Sequence, residues 1–341
     1  ALRGHYGRSI EEHQMALGRL FARFTEVAAD NPNAWYRTAR TAEEIALPGP
    51  KNRVVGWPYT KYMNAMNQVN QSAAVIMTSV GRARALGVPE DRWVYLHGTG
   101  DCNELWHVTE RVNYHSAPAV EAMSRHALQM AGRDIGDMDF IDIYACFPVA
   151  VEMVRDALGI AENDPRPLTI TGGLPNYGGA GSYVLNAIAA MVDKVRGEPG
   201  TFGIVTANGG YLTEHAAGIY STHPSPQPAP GTASGNAPWA RVDPATYQAE
   251  VDAMPHPQMV EQPDGDAVIE TYTVGFGRDG QPDRGIVIGR LGDGSNPDAP
   301  RFIAKTPLDT DMLTAMTRED FLGAKGRVST GDRHNIFSPK I

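Results

Sequence analysis

Apolar positions recur along this chain with two periods, and the change from one to the other marks out its elements. Residues 9–29, SIEEHQMALGRLFARFTEVAA, carry a helical stripe; Ser9 is placed as an N-cap and Glu12 stands at the capping-box distance. Residues 30–65 contain Pro48, Pro50 and Pro58 and little periodicity, which predicts loops. NQSAAVIMTSVGRARALG, 70–87, begins as an apolar run of the buried-strand kind and passes into a helix ending at Gly87. RWVYLHGTG, 92–100, predicts the next strand. From 116 the rhythm becomes regular. SAPAVEAMSRHALQMAG predicts a helix with Ser116 as cap, Pro118 in the first turn and Val120, Met123, Ala127 and Met130 on the core stripe. There follow strand MDFIDIYACF, helix PVAVEMVRDALG, glycine loop TGGLPNYGGAGS, helix YVLNAIAAMVDKVRG, and the strands TFGIVTANGG and HAAGIYS. Alternating strands and helices predict a layered α/β domain.

The pattern changes again after 221. Residues 222–238, THPSPQPAPGTASGNAP, read as an extended Pro/Gly/Ser linker. Beyond it, AVIETYTVGFGRDGQPDRGIVIGRL predicts a hairpin turning at Asp279-Gly280. RFIAKTPLD predicts a strand, DTDMLTAMTREDFLG a short helix, and GRVSTGDRHNIF closes the chain. The reading is a small β-rich domain, OB-like in outline, over 239–341.

Composition narrows the function classes. The 341 residues allow two domains. A net charge of -9, with no basic block, argues against a nucleic-acid footprint. No apolar run reaches the length of a membrane span, and the polar start ALRGHYGRSIEEH is unlike a signal peptide. Two cysteines, Cys102 and Cys146, are too few for a disulfide framework or a structural zinc site, and a reducing cytoplasm is the expected compartment.

Cys146 reads as a small buried hydrophobe rather than a nucleophile. Cys102 lies five residues before His107, with no further ligand pattern around the pair. The turn within GIVTANGGYLTEHAAGIYS, 203–221, has a tip built for a reactive side chain yet offers Asn208, Gly209 and Gly210 instead. Tyr211 and His215 follow it. The glycine loop 172–181 does not have dinucleotide or P-loop spacing. Its glycines, Gly178, Gly179 and Gly181 among them, would let the backbone come close to a phosphate or thioester.

Laid out in this order, the chain resembles the C-terminal half of the thiolase superfamily, nearest to the sterol-carrier-protein branch and its type 1 thiolase-like proteins. ALRGHYGRSIEEH and NPNAWYRTA are similar to the loop region over the coenzyme A site, assigned here to 1–90 together with the strand and helix that follow. Residues 91–221 resemble the C-terminal thiolase domain. TYTVGFGRDGQPDRGIVIGRL and RFIAKTPLD resemble the extra domain of the type 1 proteins. The implied fold is one half of a layered αβαβα thiolase plus that domain. The implied ligand is a coenzyme A thioester, with no tightly bound cofactor and no metal.

Thiolase chemistry needs a thiolate nucleophile, a base and oxyanion donors. The attacking cysteine belongs to the family's N-terminal half. The H-D-C-F motif matches YACF, so Tyr144 stands at the His or Asn position. GGLPNYGGAGSY resembles the Gly-His-Pro turn, with Gly179 at the histidine. The C-x-G turn matches ANGG, with Ala207 or Asn208 at the cysteine. All three polar positions are changed, so the tip of the 203–221 turn reads as an inherited thiolase turn without its cysteine.

Two functions of different class follow. One is an enzyme on acyl-CoA without thiol chemistry, such as retro-aldol cleavage with Tyr144, Tyr211, His215 and Asn208 as polar groups. For Tyr144 the alternative is an aromatic filling the space of the lost histidine; for His215 it is a hydrogen-bonded turn residue. The other function is a non-catalytic acyl-CoA or lipid binder or scaffold subunit. Acetyl-CoA acetyltransferase activity follows from the family name alone. The resemblance also implies that a companion thiolase half precedes Ala1 or comes from another polypeptide, because half a thiolase would expose a large apolar face. The superfamily is commonly dimeric, which sets a homodimer as the expectation.

Overall fold

The computed structural model describes residues 1–179, 181–224 and 240–340. Beyond residue 224, the linker expected over 222–238 lies outside them.

Chain order begins with α1 (Leu2–His5) and α2 (Ile10–Asp30). The capping box at α2 forms as its sequence predicts: the Ser9 hydroxyl accepts from Glu12 N and the Glu12 carboxylate accepts from Ser9 N. The apolar stripe of α2 is buried through Leu17, Phe21 and Phe24, each side chain contributing about 1.5–3 kcal/mol. Next come α3 (Ala42–Ala46), β1 (Val54–Trp57), β2 (Tyr59–Thr60), α4 (Val80–Ala85) and β3 (Tyr95–Asn103). The regular part holds α5 (Pro118–Ala131), β4 (Phe140–Asp142), α6 (Pro148–Ala157), α7 (Leu174–Tyr177), α8 (Tyr183–Gly197), β5 (Phe202–Gly209) and β6 (Glu214–Ser221).

These strands form a four-stranded sheet in the order β3-β6-β5-β4, antiparallel except for the parallel β4–β5 pair. Ile204 and Ile219 pack with Met123 and Ala127 of α5 in one core, while Val205 packs with Met191 of α8 in another. Because neighbouring residues of a strand face opposite ways, α5 and α8 cover opposite faces. The approach of α5 is close: a Cβ at Gly98 would stand 2.0 Å from the Ala127 carbonyl oxygen. At the end of β4 the buried Asp142 accepts from Thr169 Oγ1 (3.0 Å), Ile170 N (2.9 Å) and Tyr183 OH (3.0 Å). This network ties the start of the glycine loop to α8.

After α9 (Pro244–Asp252), which packs on α5 and β3, come β7 (Gly265–Phe276), β8 (Pro282–Leu291), β9 (Arg301–Lys305), α10 (Thr310–Arg318), β10 (Lys325–Ser329) and β11 (Ile336–Pro339). The hairpin predicted at Asp279-Gly280 is β7–β8. Strand β10 pairs with both β11 and β7, so the order β7-β8-β9-β11-β10 closes into a ring with α10 between β9 and β10. That is the five-stranded barrel arrangement of an OB-fold.

Three expectations give way. The 70–79 run is not a buried strand; it has no ladder partners and exposes Ile76 (97%) and Met77 (79%). Apolar periodicity reports a wish for a partner strand, not its presence. Ser116 does not cap α5. It bonds Asn113 instead, and the Glu104 carboxylate accepts from Ala119 N in the first turn of α5 (2.9 Å). The loop-rich stretch 30–65 supplies strands β1 and β2, which extend the barrel sheet, β1 pairing with β7 and β2 with β1.

Candidate functional site

The hairpin β5–β6 sets the register of the site. Asn208 and Cys102 lie opposite His215 on its two flanking strands. Beneath the hairpin turn is a cavity of about 300 Å³. Its lining is predominantly apolar, with Val120 from α5 and Phe147, Val149 and Met153 at and within α6. Cys146, Tyr211 and His215 reach it from the motifs singled out in the sequence.

Cys146 is half-buried at the cavity wall, not sealed in the core as its residue type suggests. Burial pushes its thiol up to about 11, so it is protonated at neutral pH. The Asn208 Nδ2 lies 3.7 Å from its sulfur. Burial lowers His215 to about 4, and its Nε2 is 3.2 Å from the Leu212 carbonyl oxygen. A carbonyl only accepts, so Nε2 carries the proton and Nδ1 keeps the lone pair. Tyr211 is 83% exposed at the turn. Its neighbour Leu212 has a φ of 56° and is, among the described residues, the one non-glycine residue in the left-handed region.

Tyr144 is elsewhere. It packs edge-on against Tyr183, with ring centroids 5.5 Å apart, on the core beneath α8. Burial raises its phenol. Gly178 and Gly179 face residues 69–71 rather than the cavity: Cβ atoms there would meet Val69 and Gln71. Gly179 N donates to the Met66 carbonyl (2.8 Å), and Gln71 Nε2 to the Tyr177 carbonyl (2.6 Å). Gly181 is exposed with open space around it. The structure therefore gathers Tyr211, His215 and Asn208 around Cys146 and leaves Tyr144 and the three glycines apart. Cys102 bonds Gln248 of α9 through its sulfur (3.3 Å). Among the described residues no three His, Cys, Asp or Glu side chains are grouped as a metal would require.

Sequence reading did not find the opposite wall. It is the stretch from Glu104 to Ser116, which places Glu104, Val108, Arg111, Asn113 and Tyr114 on the cavity. Arg111 clamps the hairpin turn, donating to the Tyr211 carbonyl (2.8 Å) and Thr213 Oγ1 (2.9 Å). Burial raises the Glu104 carboxyl above its usual range. Tyr114 has a buried hydroxyl without a partner among the described residues. These positions carry no motif; the only sequence signal is a polar cluster following strand β3.

A family model described as the thiolase-like protein type 1 additional C-terminal domain matches residues 246–333. Among solved structures, the chain is similar to a monomeric SCP2-thiolase like protein type 1 from Mycobacterium smegmatis. Identity is 39% over 99% of this chain and 71% of that one, with a TM-score of 0.88. The chain belongs to the thiolase-like proteins of type 1. No curated protein matched it. Family membership accounts for the layered sheet and the added barrel together. The type 1 fold here also contains no helix, among the described residues, long and apolar enough to cross a membrane.

Proposed function

We propose that this type 1 thiolase-like protein binds acyl-CoA thioesters, with the acyl chain in the cavity under the β5–β6 turn, and performs no thiol-based acyl transfer. One observation carries the reading: an apolar cavity of about 300 Å³ sits at the inherited thiolase turn, while the single thiol on it is held protonated by burial. Such a space suits a hydrocarbon chain, and each methylene buried is worth about 0.8 kcal/mol, roughly fourfold in affinity. Equilibrium titration with acyl-CoAs of increasing length tests it. Saturable binding that tightens with chain length until the cavity is full supports the proposal; binding no tighter than that of free CoA sinks it.

A second reading, retro-aldol cleavage of a β-hydroxyacyl-CoA, is favoured by the placement of His215 and Tyr211 on one cavity, although burial, by holding the imidazole at about 4, makes it a weak base. Tyr144 has no place in it as a proton carrier at this cavity. Of the three glycines, Gly181, with open space around it, remains a proposed point of close approach for the coenzyme A part, whereas Val69 and Gln71 cover Gly178 and Gly179. Steady release of a carbonyl product would favour this second reading.

The proposed partner set also includes a companion thiolase half, in the same or another polypeptide. On α8, Val184 and Ile188 pack partly on the core, while Leu185 and Val192 are half-exposed. A hollow of about 390 Å³ lies between residues 70–74 and the side of α8 that carries Asn186, Ala189, Ala190 and Asp193. A helix apolar on nearly every side wants cover on every side. The related protein is described as monomeric, and a single copy replaces the homodimer as the proposed state. Two free cysteines suit a reducing compartment, and the cytoplasm is the proposed location.

A further inference from the structure

Arg301, at the start of β9 in the barrel, is fully buried. Its guanidinium leaves the barrel and enters the α/β domain. Nη1 donates to the carbonyls of Thr109 (3.1 Å) and Arg111, and Nη2 to that of Val112 (3.3 Å). Nε and Nη2 also meet the two oxygens of Glu270, whose carboxylate is shared with Arg290. The guanidinium carbon lies 4.7 Å from the Tyr114 ring centroid. The three carbonyls belong to the 104–116 stretch that supplies the cavity wall, and the residue carrying one of them, Arg111, lines the cavity and clamps the turn at Tyr211 and Thr213. An unbroken run of contacts thus leads from Glu270 through Arg301 and the 109–112 backbone to the hairpin turn.

We propose that Arg301 is a positioning residue through which the added barrel sets the shape of the cavity, and so the acyl chain it selects. This rests on the acyl-binding reading only for the identity of the ligand. The geometric logic is independent of it. A loop of irregular backbone has no ladder to hold its carbonyls. A planar fork with five donors can hold three carbonyls and a carboxylate at once, whereas a lysine ammonium cannot span them. Removing the fork frees the wall from Val108 to Tyr114 and loosens the turn beyond it.

The test compares wild type with Arg301→Lys, each checked for its fold by circular dichroism. Hydrogen exchange over 105–115 and 209–215 is followed, together with labelling of Cys146 by N-ethylmaleimide and titration with a short and a long acyl-CoA. The proposal expects exchange in both segments and Cys146 labelling to rise about tenfold or more, with β3 and α5 unchanged. It also expects the affinity ratio of long to short chain to collapse towards one, and Arg301→Gln to go further than Arg301→Lys. Unchanged exchange and labelling in a folded variant overturn it. If neither variant folds, native-state exchange of the wild type under mild denaturant decides: the proposal requires residues 108–114 to open with the barrel strands, and their staying closed when those strands open refutes it. A wild type that binds no acyl-CoA sinks the functional reading but leaves the exchange and labelling results to judge Arg301.

Discussion

A Cβ at Gly179 would stand 2.2 Å from Gln71 Oε1. Gly179 occupies the place that the thiolase resemblance gives to a histidine, and Gln71 fills the room such a side chain would need. The loss is therefore built into the packing of two segments and is not a single exchange at an otherwise intact site. Gly179 also has a φ of 74°, where a side chain is strained.

Replacing Gly179 with histidine should therefore destabilise the protein and restore no acyl transfer. Left-handed backbone costs roughly 1–2 kcal/mol for a non-glycine residue, and overpacking roughly 1–3 kcal/mol more. A drop of about 2–5 kcal/mol in unfolding free energy by urea titration is expected. A neutral effect on stability would show that Gln71 moves freely.

Alkylation of Cys146 should be slow at pH 7 and rise about tenfold per pH unit up to roughly pH 10, because only the thiolate reacts and burial holds the thiol at about 11. Peptide-resolved mass spectrometry with iodoacetamide separates it from Cys102. A rate that levels off near neutral pH would reveal an activated cysteine and contradict the binding reading.

Tyr144→Phe should leave acyl-CoA affinity unchanged and shift stability by less than about 1 kcal/mol, the size of one ordinary hydrogen bond. The ring contact with Tyr183 is kept by phenylalanine. A large fall in any turnover the protein shows would return Tyr144 to acid–base work.

Burial also governs a pair far from the hairpin turn. His13 Nε2 lies 3.7 Å from Glu152 Oε2, both side chains are buried, and burial lowers the imidazole while raising the carboxyl to about 8. Glu152 holds its proton more tightly folded than unfolded. Its contribution to stability is therefore complete below the ordinary glutamate range and is lost as pH rises to about 8. Relative to wild type, Glu152→Gln should gain stability between pH 5 and 8 by up to about 1.4 kcal/mol per pH unit. Parallel stability curves would mean that Glu152 is ionised throughout.

Much of the fold is legible where local chemistry decides it. The Ser9–Glu12 box, the Asp279-Gly280 turn and the β5–β6 hairpin form as read because each is settled by residues near in sequence. The 70–79 segment failed because an apolar run cannot say where its partner strand lies. Ser116 failed as a cap because Glu104, 15 residues away, reaches Ala119 N instead. At the site, His215 and Tyr211 were marked by the turn they follow. Tyr144 was marked by a motif whose geometry directs it to another core. Arg301 was invisible: one arginine in RFIAK gives no hint that three carbonyls some 190 positions earlier are its partners.

The central claim is binding without thiol chemistry. Incubating the protein and its Cys146→Ala variant with acetyl-CoA and longer acyl-CoAs, and reading intact mass and released CoA, tests it most directly. The account predicts reversible complexes, no acyl adduct, and the same behaviour from both proteins. An acyl group carried on Cys146, or CoA release that disappears in the variant, would contradict it.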